Sequence, residues 1–560
     1  MDTGSSSEFK VQISDFPIFA FMKKKHLLLL SLLSGLLLAL AWPRDGFTAL
    51  IFLAFVPLLF IEDHISKNRH DFHRFAVLVY TWPGFLLWNA LTTWWIWNST
   101  EIGALGALIA NSFFMAAVFN IYSFSKKNIF GGSHGYFILP FYWICFEYWH
   151  LNWDMSWPWL NLGNAFAPVP DWVQWYEYTG SFGGTLWILT LNILIYNFIR
   201  QGWKKDGLLR QKIIQGTLLL VLLAVPLLLS WNIYRNYSEE KRPVEVIVTQ
   251  ANIDPYLEQY SLPPLEVVNR NLDLAKTLVD EQTSFVVCPE SSIQEPIWEH
   301  RYHSSQSLQH INNFIAEHPG LILVIGASTF REYFDGEEVS YTARKFKDAD
   351  AYYDAYNTVF FLDSSERPEV YHKSRLTPGV EKMPFPKYFG FLERFAIDLG
   401  GTVGSLGTDE VRKVFVRKHD SLRVSAVICY ESVYGEFFAR FARNGAELIF
   451  IVTNDGWWGN TPGHRQHFIY SRLRAVETRR SIARSANTGI SAFINQRGDI
   501  LQESAYWVPA VLKQSINANN RITFYTHNGD YIARISAFVA VMLLLISISL
   551  FLQRRRKPGI

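Results

Sequence analysis

The chain has 560 residues, 49% of them hydrophobic and 16% aromatic, and a formal net charge of +2. A charge that small selects no class of partner, no basic aromatic patch marks a nucleic-acid surface, and three cysteines without CxxC spacing supply neither a disulfide framework nor a cysteine zinc site. The apolar residues gather at the two ends of the chain, which excludes a single soluble globule.

In chain order, residues 1–22 are Ser-rich and without apolar periodicity, and they read as a leader or tail outside the fold. Apolar stretches near the roughly 20 residues that span a bilayer then recur at 27–42, 47–62, 75–97, 102–123, 135–150, 180–199 and 212–232. None occurs between 236 and 528, and one more follows at 530–553. The first, "MKKKHLLLLSLLSGLLLALAW", also has the basic start and Ala39-Leu40-Ala41 ending of a cleavable signal, whose removal would change no later orientation. Basic residues orient the spans. Lys23 to Lys25, then Lys67, Arg69 and Arg74, then Lys126 and Lys127, then Arg200, Lys204, Lys205, Arg210 and Lys212, and finally Arg554 to Lys557 occupy alternate loops and both ends. Eight spans with both termini inside satisfy every cluster and put 236–528 outside the cytoplasm. The expected organisation is a seven-span membrane domain at 23–235, an extracytoplasmic domain at 236–528, and a last span with a basic tail at 529–560. Trp153, Trp157, Trp159, Trp172 and Trp175, on a long outer loop without Lys or Arg, suit either an interfacial aromatic belt or structural anchoring.

Within 236–528, β-rich runs alternate with helical ones. Strands are expected at 244–252, 285–290, 321–329, 356–363 and 369–374, the last two as a hairpin, and in "SLRVSAVICYES" and "ELIFIVTND". Helices are expected at 264–281 and 433–443, and a long basic amphipathic helix over "HRQHFIYSRLRAVETRRSIARSAN". This is an α/β domain with helices outside its sheets.

Chemically capable residues recur where the strands end: Glu290, Lys373, Cys429 with Glu431, and Asn454 with Asp455. A cysteine nucleophile needs a base or cation beside it. Glu290 is a candidate base and Lys373 a candidate cation, able with the backbone N–H of Tyr430 to hold an oxyanion. Glu431, two residues beyond Cys429, would share one side of an extended strand and orient Lys373, and Glu381 would contribute similarly. Each residue also has a plainer reading: Cys429 as a core filler, Glu290 as a helix cap, Lys373 as a solvated charge. Cys288 is a rival thiol placed for packing, and Cys145 fills a span. His464 and His467 lack a third ligand nearby and read as helix-surface residues, so no metal is expected. The Gly-rich stretch at 400–407 lacks a phosphate-binding signature, and 331–354 and 379–408 are candidate lids.

The order of motifs narrows the choice. "CPESSIQEP", "YHKSRLTPGVEKMPF", "ICYESVYGE", "TNDGWWGNTPGHRQHF" and "RRSIARSANTGISAFINQRG" together resemble the carbon–nitrogen hydrolase (nitrilase) domain, and with spans on either side the chain resembles the apolipoprotein N-acyltransferase family over 23–557. The resemblance implies a polytopic helical membrane domain joined to a nitrilase-like αββα sandwich. It also implies a Glu290-Lys373-Cys429 triad, with Glu381, Glu431 and Tyr430 supporting it and Trp457, Trp458 and Asn454 as candidate substrate contacts. Its implied chemistry is ping-pong and needs no cofactor. An acyl chain passes from a phospholipid donor, usually phosphatidylethanolamine, to the cysteine as a thioester, and then to the α-amino group of a diacylated lipoprotein acceptor, at the periplasmic side of a bacterial inner membrane. A monomer that binds no nucleic acid is expected. Two departures stand out. The loop after the lysine reads Pro378-Gly379-Val380-Glu381 where the family has Pro-Phe-Gly-Glu, and Gly456-Trp457-Trp458-Gly459 replaces an Ala-Trp-Phe-Gly pattern. Two other readings remain: a membrane-tethered amidase for a small amide, and a transporter or scaffold with an inactive domain, the latter disfavoured by few charges within the spans.

Overall fold

A computed structural model describes residues 23–42, 45–132, 134–202, 209–365, 367–382 and 405–556. The expected leader, Lys204, Lys205, Lys557, most of the second candidate lid and much of the Gly-rich stretch lie outside the described residues.

Each apolar stretch folds as helix: α1 (Lys24–Leu40), α2 (Val56–Lys67), α3 (Ala76–Thr93), α4 (Glu101–Phe130), α5 (Leu139–Leu151), the short α6 (Tyr176–Thr179), α7 (Ser181–Gly202) and α8 (Leu209–Asn236). Five helical segments among the described residues are long and apolar enough to cross a membrane: 48–67, 101–130, 181–200, 209–236 and the C-terminal helix 531–556. Helices α1 and α3 cross closely because both carry glycine at the crossing. A Cβ on Gly35 would lie 2.3 Å from the carbonyl oxygen of Gly84, and one on Gly84 equally close to that of Ser31. Pro83 interrupts α3 at this point, and the amide of Gly84 donates to Ser31 Oγ at 2.8 Å.

The basic clusters gather at one end of the bundle. Arg200 at the end of α7 pairs with Asp63 at the end of α2 (3.7 Å), a buried ion pair joins Glu62 to Lys126 of α4, and Arg554 reaches the carbonyl of Asn128. The other end carries the outer domain: Asn98, just past α3, donates to the carbonyl of Trp458 at 2.8 Å.

The outer domain begins with β1 (Pro243–Gln250), α9 (Pro264–Lys276), β2 (Thr283–Val287), β3 (Ile293–Trp298), α10 (Gln306–Ala316) and β4 (Ile322–Tyr333). Next come β5 (Arg344–Lys345), β6 (Tyr352–Leu362), β7 (Glu369–His372), β8 (Phe415–Val416), β9 (Arg423–Ile428), α11 (Gly435–Arg443), β10 (Leu448–Thr453), α12 (Pro462–Thr478) and β11 (Ser481–Ala486). It closes with β12 (Ala492–Ile494), β13 (Ile500–Glu503), β14 (Ala510–Asn517) and α13 (Phe524–Asn528), before the C-terminal helix α14 (Tyr531–Arg556).

Two sheets result, ordered β14-β1-β2-β4-β6-β5, with β3 on β4 and β7 on β6, and β13-β12-β11-β10-β9-β8. Strands β1, β2 and β4 run parallel, as do β9, β10 and β11. Strand alternation explains the layering. Val246, Val248, Phe285 and Val287 face the second sheet, with Phe285 and Phe450 ring centroids 5.1 Å apart. Their alternates Ile247, Val286 and Cys288 face Leu272, Ile311 and Phe314 of α9 and α10. The domain is thus a nitrilase-like αββα sandwich, and Cys288 is packing within its helix-facing layer.

The expected long helix is wrong in its second half. The long basic helix over 464–487 ends at Thr478, and "SIARSA" is the buried strand β11, paired in parallel with β10. Arg479 breaks the helix with a left-handed φ of 52°, which lets its buried guanidinium reach Glu177 (3.0 Å) and Gln174 (2.7 Å) beneath the domain. Arg474, Arg479 and Arg484 of this stretch are buried and paired with Glu477, Glu177 and Asp455, and the charge of Arg484 hid the strand.

Candidate active site

Cys429 follows β9 directly. The expectation that the strand continues to Glu431 fails, because residues Cys429–Val433 form a 3₁₀ turn, with Cys429 itself at φ 48°. A non-glycine residue held there costs on the order of 1 kcal/mol, which the surrounding bonds must offset. The turn presents the thiol at the end of the parallel strands, where α/β proteins place their sites.

Glu290 lies just past β2 and Lys373 just past β7, both nearly buried. Lys373 Nζ donates to Glu290 Oε1 at 3.1 Å and to Glu381 Oε1 at 2.8 Å. Asn357 Nδ2 donates to the same two oxygens, at 2.7 and 3.1 Å. Glu381 reaches Lys373 despite the altered loop because its backbone N–H bonds the Thr377 carbonyl while its Oε2 accepts from the Thr377 amide at 2.8 Å. Burial opposes the lysine's charge, but the carboxylates of Glu290 and Glu381 outweigh it and hold the ammonium well above the ordinary lysine range. Burial likewise works against the Glu381 carboxylate, and Lys373 outweighs it, so that carboxyl sits below its usual range. The Cys429 thiol is pushed up, by burial first and by the negative charge of Glu290 second, with Lys373 acting in the opposite direction. The resting site is therefore a neutral thiol beside an ammonium held between Glu290 and Glu381. Cys288, buried away from any cation, is pushed up to about 12 by burial.

Glu431 does something other than orient Lys373. Its Oε1 accepts from Tyr371 OH (2.8 Å) and the backbone amides of Ser374 (2.6 Å) and Arg375 (3.1 Å), and its Oε2 from the amide of Ile428 (2.9 Å). One carboxylate thereby fastens the loop after Lys373 to the strand before Cys429. Asn454 lines the site, but its backbone amide donates to Glu290 Oε2 at 3.0 Å while its side chain bonds Gln259 and the next loop. It holds the acid in place.

Tyr430 and the tryptophans join the domain to the membrane bundle. Tyr430 OH donates to the carbonyl of Ser156 at 2.8 Å. Trp159 is fully buried, donates to Gln466 Oε1 at 2.7 Å, and packs against Trp95, Trp157 and Trp458. Trp457 holds Tyr256 OH on its carbonyl at 2.6 Å. Trp159 and Trp175 are buried, Trp175 against Tyr176 and Trp187, while Trp153, Trp157 and Trp159 line a cavity beside the site.

His464 and His467 are both fully buried, contrary to the surface placement expected of them. His464 stacks on Tyr506 at 3.8 Å between ring centroids. His467 lies beside Asp455 and the Cys429 carbonyl, the two residues coming together through the sheet from twelve positions apart or more. Ligand atoms of Cys429, Asp455 and His467 lie within 4.8 Å of one another, but Asp455 is already neutralised by the buried Arg484 guanidinium. Arg484 and His467 outweigh the effect of burial and hold the Asp455 carboxyl well below its usual range. The cluster reads as a charge-balanced internal network, and "HRQH" alone gave no sign of it.

A cavity of about 530 Å³ links these parts. Its lining includes Glu290, Lys373 and Cys429 and also Gly103, Gly106 and Ala107 of α4. That half of α4 turns its larger side chains outward, with Ile102 82% and Leu105 50% exposed. Cavities of this size hold elongated small molecules.

Residues 34–194 match the family profile described as the apolipoprotein N-acyltransferase N-terminal domain, and residues 248–522 that of carbon–nitrogen hydrolases. The apolipoprotein N-acyltransferase of Chlorobaculum tepidum is 29% identical over 530 residues, covering 92% of this chain and 96% of that one. That of Thermotoga maritima is 27% identical over 552 residues, covering 94% of each, and that of Geobacter metallireducens 25% over 529 residues, covering 90% and 92%. A solved nitrilase-superfamily structure from Saccharomyces cerevisiae aligns at 17% identity over 50% of this chain and 93% of that one, with a TM-score of 0.35, too low to add to the strand topology. The two profiles span more than three quarters of the sequence, in the order of bundle and sandwich found here, and the relatives match over nearly their whole length: the chain belongs to the apolipoprotein N-acyltransferase family.

Proposed function

We propose that this membrane enzyme moves an acyl chain from a phospholipid, through a thioester on Cys429, to the α-amino group of a lipoprotein's N-terminal diacylglyceryl-cysteine. Lipoprotein N-acylation is the activity the named relatives carry. The observation that carries the reading to this chain is a single cavity lined both by Cys429 and by the half of α4 whose larger side chains face outward. A hydrolase for a small amide has no use for such a cavity.

In the first half-reaction Glu290 takes the proton from Sγ as the sulfur attacks the ester carbonyl. Concerted transfer suits a thiol whose pKa burial has raised. The oxyanion forms against Lys373 Nζ and the Tyr430 N–H. Its collapse expels the glycerol oxygen, which takes the proton back from Glu290 and leaves as lysophospholipid. In the second half-reaction the uncharged α-amine attacks the thioester, Glu290 accepts the amine proton, and the proton passes to the departing sulfur, yielding the amide and free thiol. Glu381 and Asn357 keep Lys373 and Glu290 aligned throughout. The basic residues at the far end of the bundle support an outer domain on the periplasmic side of the inner membrane.

Mass spectrometry of the purified protein after incubation with phosphatidylethanolamine tests this. The expected result is an acyl increment, labile to hydroxylamine, present in wild type and Cys288→Ala and absent in Cys429→Ala. Absence of the increment from wild type, with turnover of a small amide instead, would establish the amidase reading.

A further inference from the structure

The carbonyl of Cys429 is held by two side chains. Ser432 Oγ donates to it at 2.7 Å, and His467 Nε2 lies 3.0 Å from the carbonyl oxygen and 3.0 Å from Ser432 Oγ. A carbonyl oxygen only accepts, and the serine's hydrogen is committed to that same oxygen, so Nε2 must carry a hydrogen. The other ring nitrogen faces Asp455 Oδ1 at 2.9 Å and Arg484 Nη2 at 3.1 Å. With the hydrogen on Nε2, Nδ1 of a neutral ring accepts from the guanidinium, and it donates to the carboxylate only in the imidazolium; in either form Nε2 is the donor. Asp455 is itself fixed by Arg484 on its other oxygen and by Thr453 Oγ1 at 2.7 Å. Every member of this network is fully buried, Ser432 all but so, and none of His467, Asp455 or Arg484 has a part in the proton transfers above.

We infer that His467, oriented by Asp455 and Arg484, is a positioning residue that aims the oxyanion-binding N–H of Tyr430. The argument is geometric. The carbonyl of Cys429 and the N–H of Tyr430 belong to one planar trans peptide and point in opposite directions, so clamping the first fixes the second. The clamp is needed because Cys429 stands at a left-handed φ, from which the peptide would otherwise relax. Such a donor is useful only if it is already aimed at where the charge develops.

This inference rests on Cys429 being the nucleophile, and the test separates the two ideas. Acylation of Cys429 by p-nitrophenyl butyrate passes through an oxyanion, whereas alkylation by iodoacetamide displaces iodide at a saturated carbon and forms none. Both rates are measured for wild type, His467→Phe, His467→Gln and Ser432→Ala, each checked by thermal unfolding. Loss of the clamp in His467→Phe is expected to slow acylation about 10- to 100-fold through kcat, with KM and the alkylation rate within about twofold of wild type. His467→Gln, whose amide N–H can reach the same carbonyl, recovers much of the loss; Ser432→Ala, which keeps one of two donors, loses about tenfold or less. Should His467→Phe be too unstable to purify, His467→Gln and Ser432→Ala carry the same comparison. Equal losses of acylation and alkylation, or unchanged acylation in the folded variants, overturn the inference. Wild-type protein that is alkylated at Cys429 yet acylated by neither the ester nor phosphatidylethanolamine refutes the nucleophile reading itself.

Discussion

Replacing Lys373 by methionine keeps the length of the side chain and removes its charge from a site where two carboxylates depend on it. The Oε1 atoms of Glu290 and Glu381 lie 3.1 and 2.8 Å from Nζ, which places them no more than about 6 Å apart. Without the ammonium, two like charges at about 6 Å in an effective dielectric near 20 repel by about 3 kcal/mol. Glu381 then loses the cause of its depressed pKa and moves toward the protonated form. The same substitution deletes the proposed charged oxyanion donor, worth about 10²- to 10³-fold in kcat at comparable sites. It also removes the positive neighbour that lowers the Cys429 thiol, so thiolate formation shifts to higher pH. The two effects have separate assays. Acyl-enzyme formation from phosphatidylethanolamine, followed by mass spectrometry, should fall at least 100-fold, and the iodoacetamide rate should rise with pH along a profile displaced upward from wild type. Acylation within tenfold of wild type, or an undisplaced alkylation profile, would refute the assignment of Lys373 as the cation serving both thiol and oxyanion.

Glu431→Gln presents an amide N–H₂ where a carboxylate now accepts four hydrogen bonds; at least one backbone donor loses its partner, at about 2–3 kcal/mol, seen as a lower unfolding temperature in detergent together with slower acylation. Ala107→Phe fills part of the cavity wall on α4, so KM for a long-chain donor should rise about tenfold while a short-chain donor is little affected, measured as thioester formation across a chain-length series. Cys288→Ala should cost about 1 kcal/mol of stability and leave activity within twofold, and in wild type this thiol, fully buried in the helix-facing layer while Cys429 lines the cavity, should resist iodoacetamide at pH 8 under conditions that modify Cys429, as read by peptide mapping.

The parts legible in the sequence are those whose signal is local. Apolar runs gave the helices, and β-rich runs ending in Glu290, Lys373 and Cys429 gave strand termini, which the packing of the two sheets brings together. Glu431 was found by its spacing and mistaken in its geometry, because a left-handed residue at Cys429 ends the strand at Ile428, short of Glu431. The strand at Ser481–Ala486 was missed because Arg484 puts a full charge in a buried position, and only the distant Asp455 makes that tolerable. His467 was missed for a related reason. Its partners lie at positions 432, 455 and 484, on separate elements that the second sheet brings together, and no spacing rule applied to one helix can report them.

The joining of bundle and sandwich bears on the chemistry as well as on location. A thioester is hydrolysed wherever water reaches it as readily as an amine does, so a transferase built on a hydrolase fold must control access more than reactivity. Here part of the wall of the cavity that holds Cys429 is supplied by the bundle. Trp157 and Ser156 come from the loop after α5, Trp95 from the end of α3, and they meet Tyr430 and Trp458 of the outer domain. Opening this wall to water would expose the nucleophile, so seating the sandwich on the bundle is part of the active site. The buried contacts that secure the seat, Trp159 on Gln466 and Arg479 on Glu177, leave the triad untouched and govern what can reach it. Loosening them should therefore change the partition between amide product and free fatty acid before it changes the rate of thioester formation.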